Sequence, residues 1–319
     1  MRGHGDAVKG AEMNETVVRR GGRGRRIFYS ARIAPYVFVL PFLLSFSLFF
    51  VYPIATTILM SFQRVLGMHS DVFIGLKNYQ RLIDTHFFMA IKTSSLYAFF
   101  TILVLIPLPI VLAVFLSSRS MVGKNLFRSV LFLPALTSVI AAGVAFRLIF
   151  GEAAVWPANR VLQLFGLPPV KWTLNYSAGM FIMVALGSWR WMGVNIVYFL
   201  SGLQNIPTEL YESAEIDGAN SVAKFFYITL PLLRPIIVYV LTISIYGGYA
   251  MFAESYVYWT EGMPGDIGLS MVRYIYQQAF GRNDLGYGSA IGIALLAIVF
   301  TINLIQLRSF GLFRQGRDN

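Results

Sequence analysis

The sequence predicts an all-α membrane protein with six transmembrane helices, and three observations support that fold class. Apolar residues make up 56% of the chain and lie in blocks of roughly twenty, the length of helix that crosses a bilayer core. Charged residues make up only 13%, whereas about 25% is usual in a soluble domain. A polar, acidic segment at 207–235 separates two of the apolar blocks. A chain of 319 residues could otherwise fold as two soluble domains, but this block pattern favours a membrane protein.

The apolar blocks predict where the spans lie. Several contain proline, which is tolerable because neighbouring helices re-satisfy the freed backbone groups. A transmembrane domain of residues 31–311 is expected between two polar tails, 1–30 and 312–319. The predicted spans are 35–61, 94–116, 129–150, 178–203, 236–259 and 286–307.

The distribution of Lys and Arg predicts the orientation. Both tails and the loop 119–128 are rich in these residues, and an even number of spans places both termini on one side. The positive-inside rule makes that side the cytoplasm. The net charge of +11 then reflects retained cytoplasmic segments, so we expect no nucleic-acid partner. The basic N-terminal tail is expected near anionic lipid and is not a signal peptide, because no small-residue cleavage site follows the first apolar run.

The chain lacks the residues that enzyme chemistry would need. The string nearest to a phosphate-binding loop, Ser118–Asn125, lacks the first glycine, and Asn125 replaces the hydroxyl residue. The only histidines, His4, His69 and His86, have no metal-ligand spacing. With no cysteine, a disulfide framework and a thiolate metal site are also excluded. We therefore predict no catalytic residue, metal or cofactor, and any ATP must be bound and hydrolysed by another polypeptide.

The acidic segment, residues 207–235, predicts two short helices joined by a bend. Glu212 and Glu215 are three residues apart and would share a helix face, and Gly218 would end that helix. A second helix would carry an apolar stripe and end at the prolines that follow it. The stripe comprises Phe225, Phe226 and Ile228, and the prolines are Pro231 and Pro235. The alternative is a solvated loop helix.

At these residues the chain resembles the EAA loop of permease subunits of binding-protein-dependent ABC importers. In that family the loop is the coupling helix, which sits in a cleft of the ATP-binding subunit. One position departs from the pattern, because Ser213 stands where alanine is usual. The residues that the resemblance assigns to coupling are Glu212, Ser213, Ala214, Asp217, Gly218 and Ala219.

The resemblance extends over nearly the whole chain from Tyr29 and is closest to the maltose-type carbohydrate permeases. Phrases such as SWRWMG (Ser188–Gly193) and ESYVYW (Glu254–Trp259) are most similar to permeases for arabino-oligosaccharides. It implies an ATP-driven importer in a bacterial cytoplasmic membrane that moves a carbohydrate, such as an arabino-oligosaccharide, by alternating access. It also implies a second, different permease (a heterodimer), two ATP-binding subunits and an extracytoplasmic sugar-binding protein.

Aromatic and polar residues in the fourth and fifth spans are candidates for substrate contact. Aromatic faces stack on sugar rings, and polar groups bind hydroxyls. Tyr246, Tyr249 and Phe252 follow one another at intervals of three and would share a helix face. The alternative is that these aromatic residues pack helices or form interfacial belts. The candidates are Trp189, Trp191, Asn195, Tyr246, Tyr249, Phe252 and Glu254.

Two charged residues at membrane depth bear on the alternatives for function. An intramembrane ionisable residue is expensive and by default functional. We expect Arg190 to pair with a partner or with carbonyls rather than with sugar. A permease for glycerol-phosphate, an amino acid or another solute would need midplane cations, and only Arg190 is available. A secondary transporter or a membrane enzyme is the other alternative; a proton-coupled carrier would need buried carboxylates in its spans, and Glu254 is nearly alone.

Overall fold

The computed structural model describes residues 33–66, 69–118, 121–259 and 264–311. The predicted tails at 1–30 and 312–319 lie outside the described residues. The chain divides into two compact units, Met1–Thr56 and Thr57–Asn319. Within its described part, the first unit contains helix α1 (Ala34–Phe46), a π-helical turn (Ser47–Val51) and the start of α2 (Tyr52–Ser61).

The second unit is a helical assembly with a small hairpin. Among the described residues, five helices are long and apolar enough to cross a membrane, and a bent pair would make six. The predicted all-α membrane fold is thereby confirmed. Its helices and strands are β1 (Gln63–Leu66), β2 (His69–Phe73), α3 (Lys77–Gln80), α4 (Thr85–Leu105), α5 (Pro107–Ser117), α6 (Lys124–Leu136), α7 (Val139–Ile149), α8 (Pro157–Leu164), α9 (Tyr176–Gln204), α10 (Thr208–Ile216), α11 (Ser221–Lys224), α12 (Leu230–Leu232), α13 (Arg234–Tyr249), α14 (Ala253–Tyr258), α15 (Met271–Tyr276) and α16 (Leu285–Ser309).

Three spans differ from the sequence prediction; in the fifth, residues 250–252 interrupt the predicted helix between α13 and α14. The second begins at Thr85, nine residues before position 94, because the polar turns around His86 and Lys92 continue the helix beyond the apolar block. The third is not one straight helix: α6 and α7 meet at a bend of 98°. Pro134, Thr137 and Ser138 surround this bend, where Thr137 and Ser138 leave the helical conformation. Hydropathy identifies the apolar block but not the direction of the helix axis within it, so the bend could not be predicted from composition.

A polar segment between the first two spans forms the antiparallel hairpin β1–β2, which the all-helical prediction lacked. The buried Asn78 side chain donates to the carbonyl of Ser61 at 3.0 Å and to that of Gln63 at 2.8 Å. Arg81 forms a 2.8 Å ion pair with Asp284, whose carboxylate also caps α16. These contacts join the hairpin region to the start of the last span.

Two glycines allow the long helices to approach one another closely. A side chain at Gly193 would collide with the backbone of Leu131 in α6, and one at Gly248 would collide with Ala98 in α4. Small residues at such crossings let helix backbones pack directly in a membrane. The central helix α9 therefore lies against α6, and α13 lies against α4.

Candidate functional site

The acidic segment forms a helix–turn–helix between α9 and α13. Helix α10 ends at Ile216 with Asp217 as its C-cap, and Gly218 adopts the left-handed conformation, with φ of +81°. The amide of Gly218 donates to the carbonyl of Glu215, and that of Ala219 donates to the carbonyl of Ala214. This pair of bonds is a Schellman motif, which satisfies carbonyls that the helix end would leave unpaired. The predicted end of the first helix at Gly218 is thus what the structure has.

Two side-chain contacts hold the second helix against the first. Lys224 forms an ion pair with Glu215 at 2.5 Å, and the Tyr211 hydroxyl lies 3.0 Å from the Thr229 hydroxyl. Asn220 caps α11 by accepting a hydrogen bond from the amide of Ala223 at 2.8 Å. The two helices and their turn therefore form one braced element.

The base of the acidic segment packs into the helix bundle. Phe225 and Ile228 are partly buried against a core that includes Phe199 and Leu233. The predicted apolar stripe is wrong in one member, because Phe226 is exposed. A π-helical turn at 225–229 lets the helix run on to Leu232.

The second helix runs one residue past Pro231 and ends at Leu232, before Pro235, so the predicted end at these two prolines is confirmed. The amide of Leu230 donates to the carbonyl of Phe225, five residues back, and this wider turn accommodates the proline that follows. The same device precedes Pro53, where the amide of Tyr52 donates to the carbonyl of Ser47.

The predicted coupling residues form the outer surface of this element. Glu212, Ser213, Asp217 and Gly218 are exposed, whereas Ala214 and Ala219 are half-buried at the turn. Sequence reasoning missed the apolar part of the same surface. Ile216 is 88% exposed beside the acidic residues, and Val222 is also exposed. A large apolar side chain next to a cluster of carboxylates was the available signal.

A buried ion pair joins α9, which precedes the acidic segment, to α14, the helix after α13. Arg190 of α9 donates from Nη1 to Oε1 of Glu254 in α14 at 3.2 Å, and both side chains are largely buried. Arg190 also lies over the ring of Trp191 at 5.9 Å. The expectation that Arg190 pairs with a partner is therefore confirmed. Pairing is what makes two charges tolerable at this depth.

Polar atoms near this ion pair retain hydrogen-bonding capacity. Among the residues that the structure describes, Arg190 Nε, the Ser188 hydroxyl and the Tyr258 hydroxyl are buried and have no protein partner. Buried polar groups are normally satisfied by protein or by ordered water. Arg190 Nε can therefore donate a hydrogen bond to water or to a hydroxylated ligand, and the two hydroxyls can donate or accept one.

The remaining predicted substrate residues divide into exposed and buried positions. Trp189, Trp191 and Tyr246 are exposed, and the Trp189 ring packs at 5.6 Å from that of Phe146. Tyr249 is only 6% exposed, and its hydroxyl lies 2.8 Å from that of Ser95.

The predicted common face of Tyr246, Tyr249 and Phe252 is wrong. Tyr246 is 65% exposed while Tyr249 is buried, and α13 ends at Tyr249, so the three-residue interval does not carry on to Phe252. Phe252 instead stacks on Tyr256, with ring centroids 5.2 Å apart, and packs at 5.3 Å from Tyr276.

Asn195 has a structural partner in the bundle. Its Nδ2 donates to the carbonyl of Leu105 at 2.8 Å, and the side chain is buried. Pro109, four residues after Leu105, has no amide hydrogen to offer that carbonyl. Asn195 in α9 thus donates to the Leu105 carbonyl in place of the amide hydrogen that Pro109 lacks. Its predicted contact with substrate stays a prediction.

Arg273, which sequence reasoning missed, forms hydrogen bonds with carbonyls of α14 and of the residue that ends it. Its guanidinium donates to the Ser255 carbonyl at 2.7 Å and also to the carbonyl of Trp259. Burial lowers the pKa of Arg273, although the nearby Tyr256 acts in the opposite direction. A cation at these helix-end carbonyls is favourable. Lying outside the apolar blocks, Arg273 gave no signal in hydropathy.

Comparison with known proteins shows which relatives the chain resembles. It is 53% identical over 290 residues to the arabinooligosaccharides transport system permease protein AraP of Bacillus subtilis (strain 168), covering 91% of this chain and 92% of that protein. It is 49% identical to the protein of the same name from Halalkalibacterium halodurans, covering 97% and 98%.

Solved structures share the fold. A bacterial ABC transporter involved in the import of the acidic polysaccharide alginate has a chain that matches with a TM-score of 0.75 at 21% identity, covering 87% of this chain and 94% of that one. A bacterial alginate ABC transporter in complex with an alginate pentasaccharide-bound periplasmic protein matches with a TM-score of 0.76 at 20% identity, covering 88% and 94%.

The fold, the acidic segment and the similarity to these proteins together define the chain as a multi-pass membrane permease of the ABC importer type. The family described as the binding-protein-dependent transport system inner membrane component matches residues 92–315, more than half of the chain. The chain belongs to that family, and the resemblance noted in the sequence is confirmed.

Proposed function

We propose that the chain is the subunit through which an ABC importer moves an oligosaccharide across the membrane, and that the acidic segment couples this movement to ATP hydrolysis by separate subunits. The observation that carries the proposal is the braced helix–turn–helix between α9 and α13. It exposes Glu212, Asp217 and Ile216 while its base packs into the bundle. A force on the exposed surface would therefore be transmitted to both helices.

Those two helices also lead to the Arg190–Glu254 pair. A displacement of α9 against α13 and α14 would alter the 3.2 Å distance between Arg190 Nη1 and Glu254 Oε1. Two packed arrangements of the same helices would then give inward-open and outward-open states, and ATP binding would bias the equilibrium between them. We expect this subunit to bind no ATP, metal or other cofactor, because ATP would be bound by the separate subunits.

The solute we propose is an arabino-oligosaccharide. Support comes from two relatives, about half identical to this chain over nearly its whole length, whose names state transport of arabinooligosaccharides. The exposed rings of Trp189 and Tyr246 offer stacking surfaces for sugar. Pairing of Arg190 with Glu254 disfavours a phosphate or amino-acid substrate, because an anion would have to displace the carboxylate.

The assembly we propose contains a second, different permease, two ATP-binding subunits and an extracytoplasmic sugar-binding protein in a bacterial cytoplasmic membrane. Both termini of this chain would be cytoplasmic. A reporter fused after Asn319 tests that orientation, because activity of a reporter that works only outside the cytoplasm would contradict it.

Uptake by the purified complex in proteoliposomes tests the function. Labelled arabinotriose should enter only with internal ATP and external binding protein, and an uncoupler should not abolish uptake. Ion-driven uptake would contradict ATP coupling. Transport of an amino acid or glycerol phosphate in place of the sugar would contradict the solute.

Alanine variants test the proposed sugar contacts. Trp189→Ala and Tyr246→Ala should weaken uptake and should lower thermal stability less than Tyr249→Ala, because both rings are more exposed than Tyr249. Tyr249→Ala should lower stability as well, since Tyr249 is buried. Normal uptake by the Trp189→Ala/Tyr246→Ala variant would remove both rings from the site.

A further inference from the structure

The loop between α7 and α9 is organised around one buried side chain. This loop lies at the opposite end of the 29-residue helix α9 from the acidic segment. Asn159 is fully buried. Its Oδ1 accepts from the amide of Val170 at 2.9 Å and from Trp172 Nε1 at 3.0 Å, and its Nδ2 donates to nearby carbonyls. These bonds fix helix α8, which carries Asn159, against the loop.

The opposite face of α8 is apolar and uncovered by the described residues. Val161, Leu164 and Phe165 follow at intervals of three and four, so they form one stripe. Leu164 is 84% exposed and Phe165 is 77% exposed. A short amphipathic helix whose apolar stripe is not used by its own fold requires another apolar environment.

A cavity beside the start of α8 gives an independent indication of what lies there. It measures about 380 Å³ and combines one guanidinium, one carboxylate, aromatic rings and aliphatic side chains. Its polar walls come from the loop and the end of α7, and its aliphatic wall comes from α7. The lining includes Val144, Arg147, Leu148, Glu152, Trp156 and Thr173.

We propose that this loop is a lipid-docking surface. The stripe Val161–Leu164–Phe165 enters the interfacial layer of the leaflet opposite the acidic segment, and the adjacent cavity receives a zwitterionic phospholipid headgroup. Arg147 would bind the phosphate and Glu152 the ammonium group, while Trp156 has the amphipathic ring typical of membrane interfaces. Exposed Arg160 would add attraction for phosphate at the rim.

Continuity with the membrane-spanning surface favours lipid over a protein partner. Val144 and Leu148 lie one helical turn apart on α7, are exposed, and line the same cavity as Trp156. Trp156 in turn immediately precedes Pro157, the first residue of α8. The aliphatic surface of a span thus leads through the headgroup cavity to the apolar stripe, as expected of a surface against one lipid leaflet.

The absence of cysteine from the chain allows a direct test. Single variants Leu164→Cys and Gln163→Cys carry a nitroxide label in the assembled complex, with partner subunits made cysteine-free, in nanodiscs containing phosphatidylethanolamine. Gln163 is the matched control because it is exposed beside Leu164 on the same helix. Power saturation measures access of oxygen, which concentrates in lipid, and of a water-soluble nickel chelate.

We expect the ratio of oxygen to nickel accessibility to be several-fold higher at position 164 than at 163, and Val161→Cys to resemble position 164. Equal nickel access at 164 and 163 would overturn the proposal. So would protection of 164 from both reagents, because that result would place a partner protein on the stripe. For the cavity, Arg147→Gln should weaken retention of spin-labelled phosphatidylethanolamine, and unchanged retention would remove the headgroup site.

Discussion

Glu254 of α14 holds Arg190 of α9 through a 3.2 Å ion pair, and these residues lie on opposite chain sides of the acidic segment. The pair therefore links α9, which leads into that element, to α14, the helix after α13. Its burial makes the two charges dependent on each other, because either one alone would be left desolvated without compensation.

Removing one member of this pair should be more damaging than removing both. Glu254→Gln or Arg190→Met should destabilise the protein by about 3–5 kcal/mol, because the remaining group loses its partner in a buried site. Arg190→Met/Glu254→Leu should recover much of that loss. Thermal unfolding of the purified complex measures the difference.

The same variants separate packing from sugar binding. If the double variant regains stability but still does not transport sugar, then Glu254 or Arg190 contributes to the sugar translocation path. Additive destabilisation in the double variant would contradict the pairing.

Gly218 should tolerate asparagine but not larger residues. Its φ of +81° costs other residues on the order of 1–3 kcal/mol locally, whereas asparagine adopts this conformation more readily. Among the residues that the structure describes, no atom lies within 4 Å of a Cβ built at Gly218, so we expect steric effects beyond strain to come from a docked partner. Gly218→Asn should retain sugar uptake and Gly218→Trp should abolish it while the protein still inserts. Normal uptake by Gly218→Trp would exclude this turn from docking.

Charge reversal on the exposed surface of α10 should break coupling without unfolding the chain. Glu212→Lys should abolish uptake without unfolding the chain, since the side chain is exposed. Membrane insertion and complex stability should be unchanged. Transport at the normal rate would place the docking surface elsewhere.

Ile216 should anchor the ATP-binding subunit. Its side chain is 88% exposed, and a large apolar group among carboxylates resembles the buried anchors that dominate protein interfaces. Ile216→Asp should reduce co-purification of ATP-binding subunits with the permease, and Ile216→Leu should preserve it. Equal recovery with both variants would contradict this role.

Asn195 should be needed because Pro109 is present. Asn195→Leu leaves the Leu105 carbonyl without its donor and should cost about 1–3 kcal/mol of stability. Pro109→Ala restores an amide hydrogen four residues after Leu105, so the double variant should be more stable than Asn195→Leu. Thermal unfolding reports the comparison, and failure of Pro109→Ala to rescue would show that the carbonyl is not the cause.

The sequence by itself determined the class of fold and the position of the acidic segment, because block length, charge placement and the break at Gly218 depend on local chemistry. It also indicated that Arg190 required a partner, because an unpaired cation is costly at membrane depth. Only tertiary structure decided which partner: Glu254 is 64 residues away, across the acidic segment.

Tertiary structure also decided the 98° bend of the third span, the burial of Tyr249 and the capping of Leu105 by Asn195. Each depends on where one helix crosses another or changes direction. Hydropathy and three-residue intervals describe one helix at a time, so they identify a residue's type and place along the chain but not which neighbouring helix satisfies it.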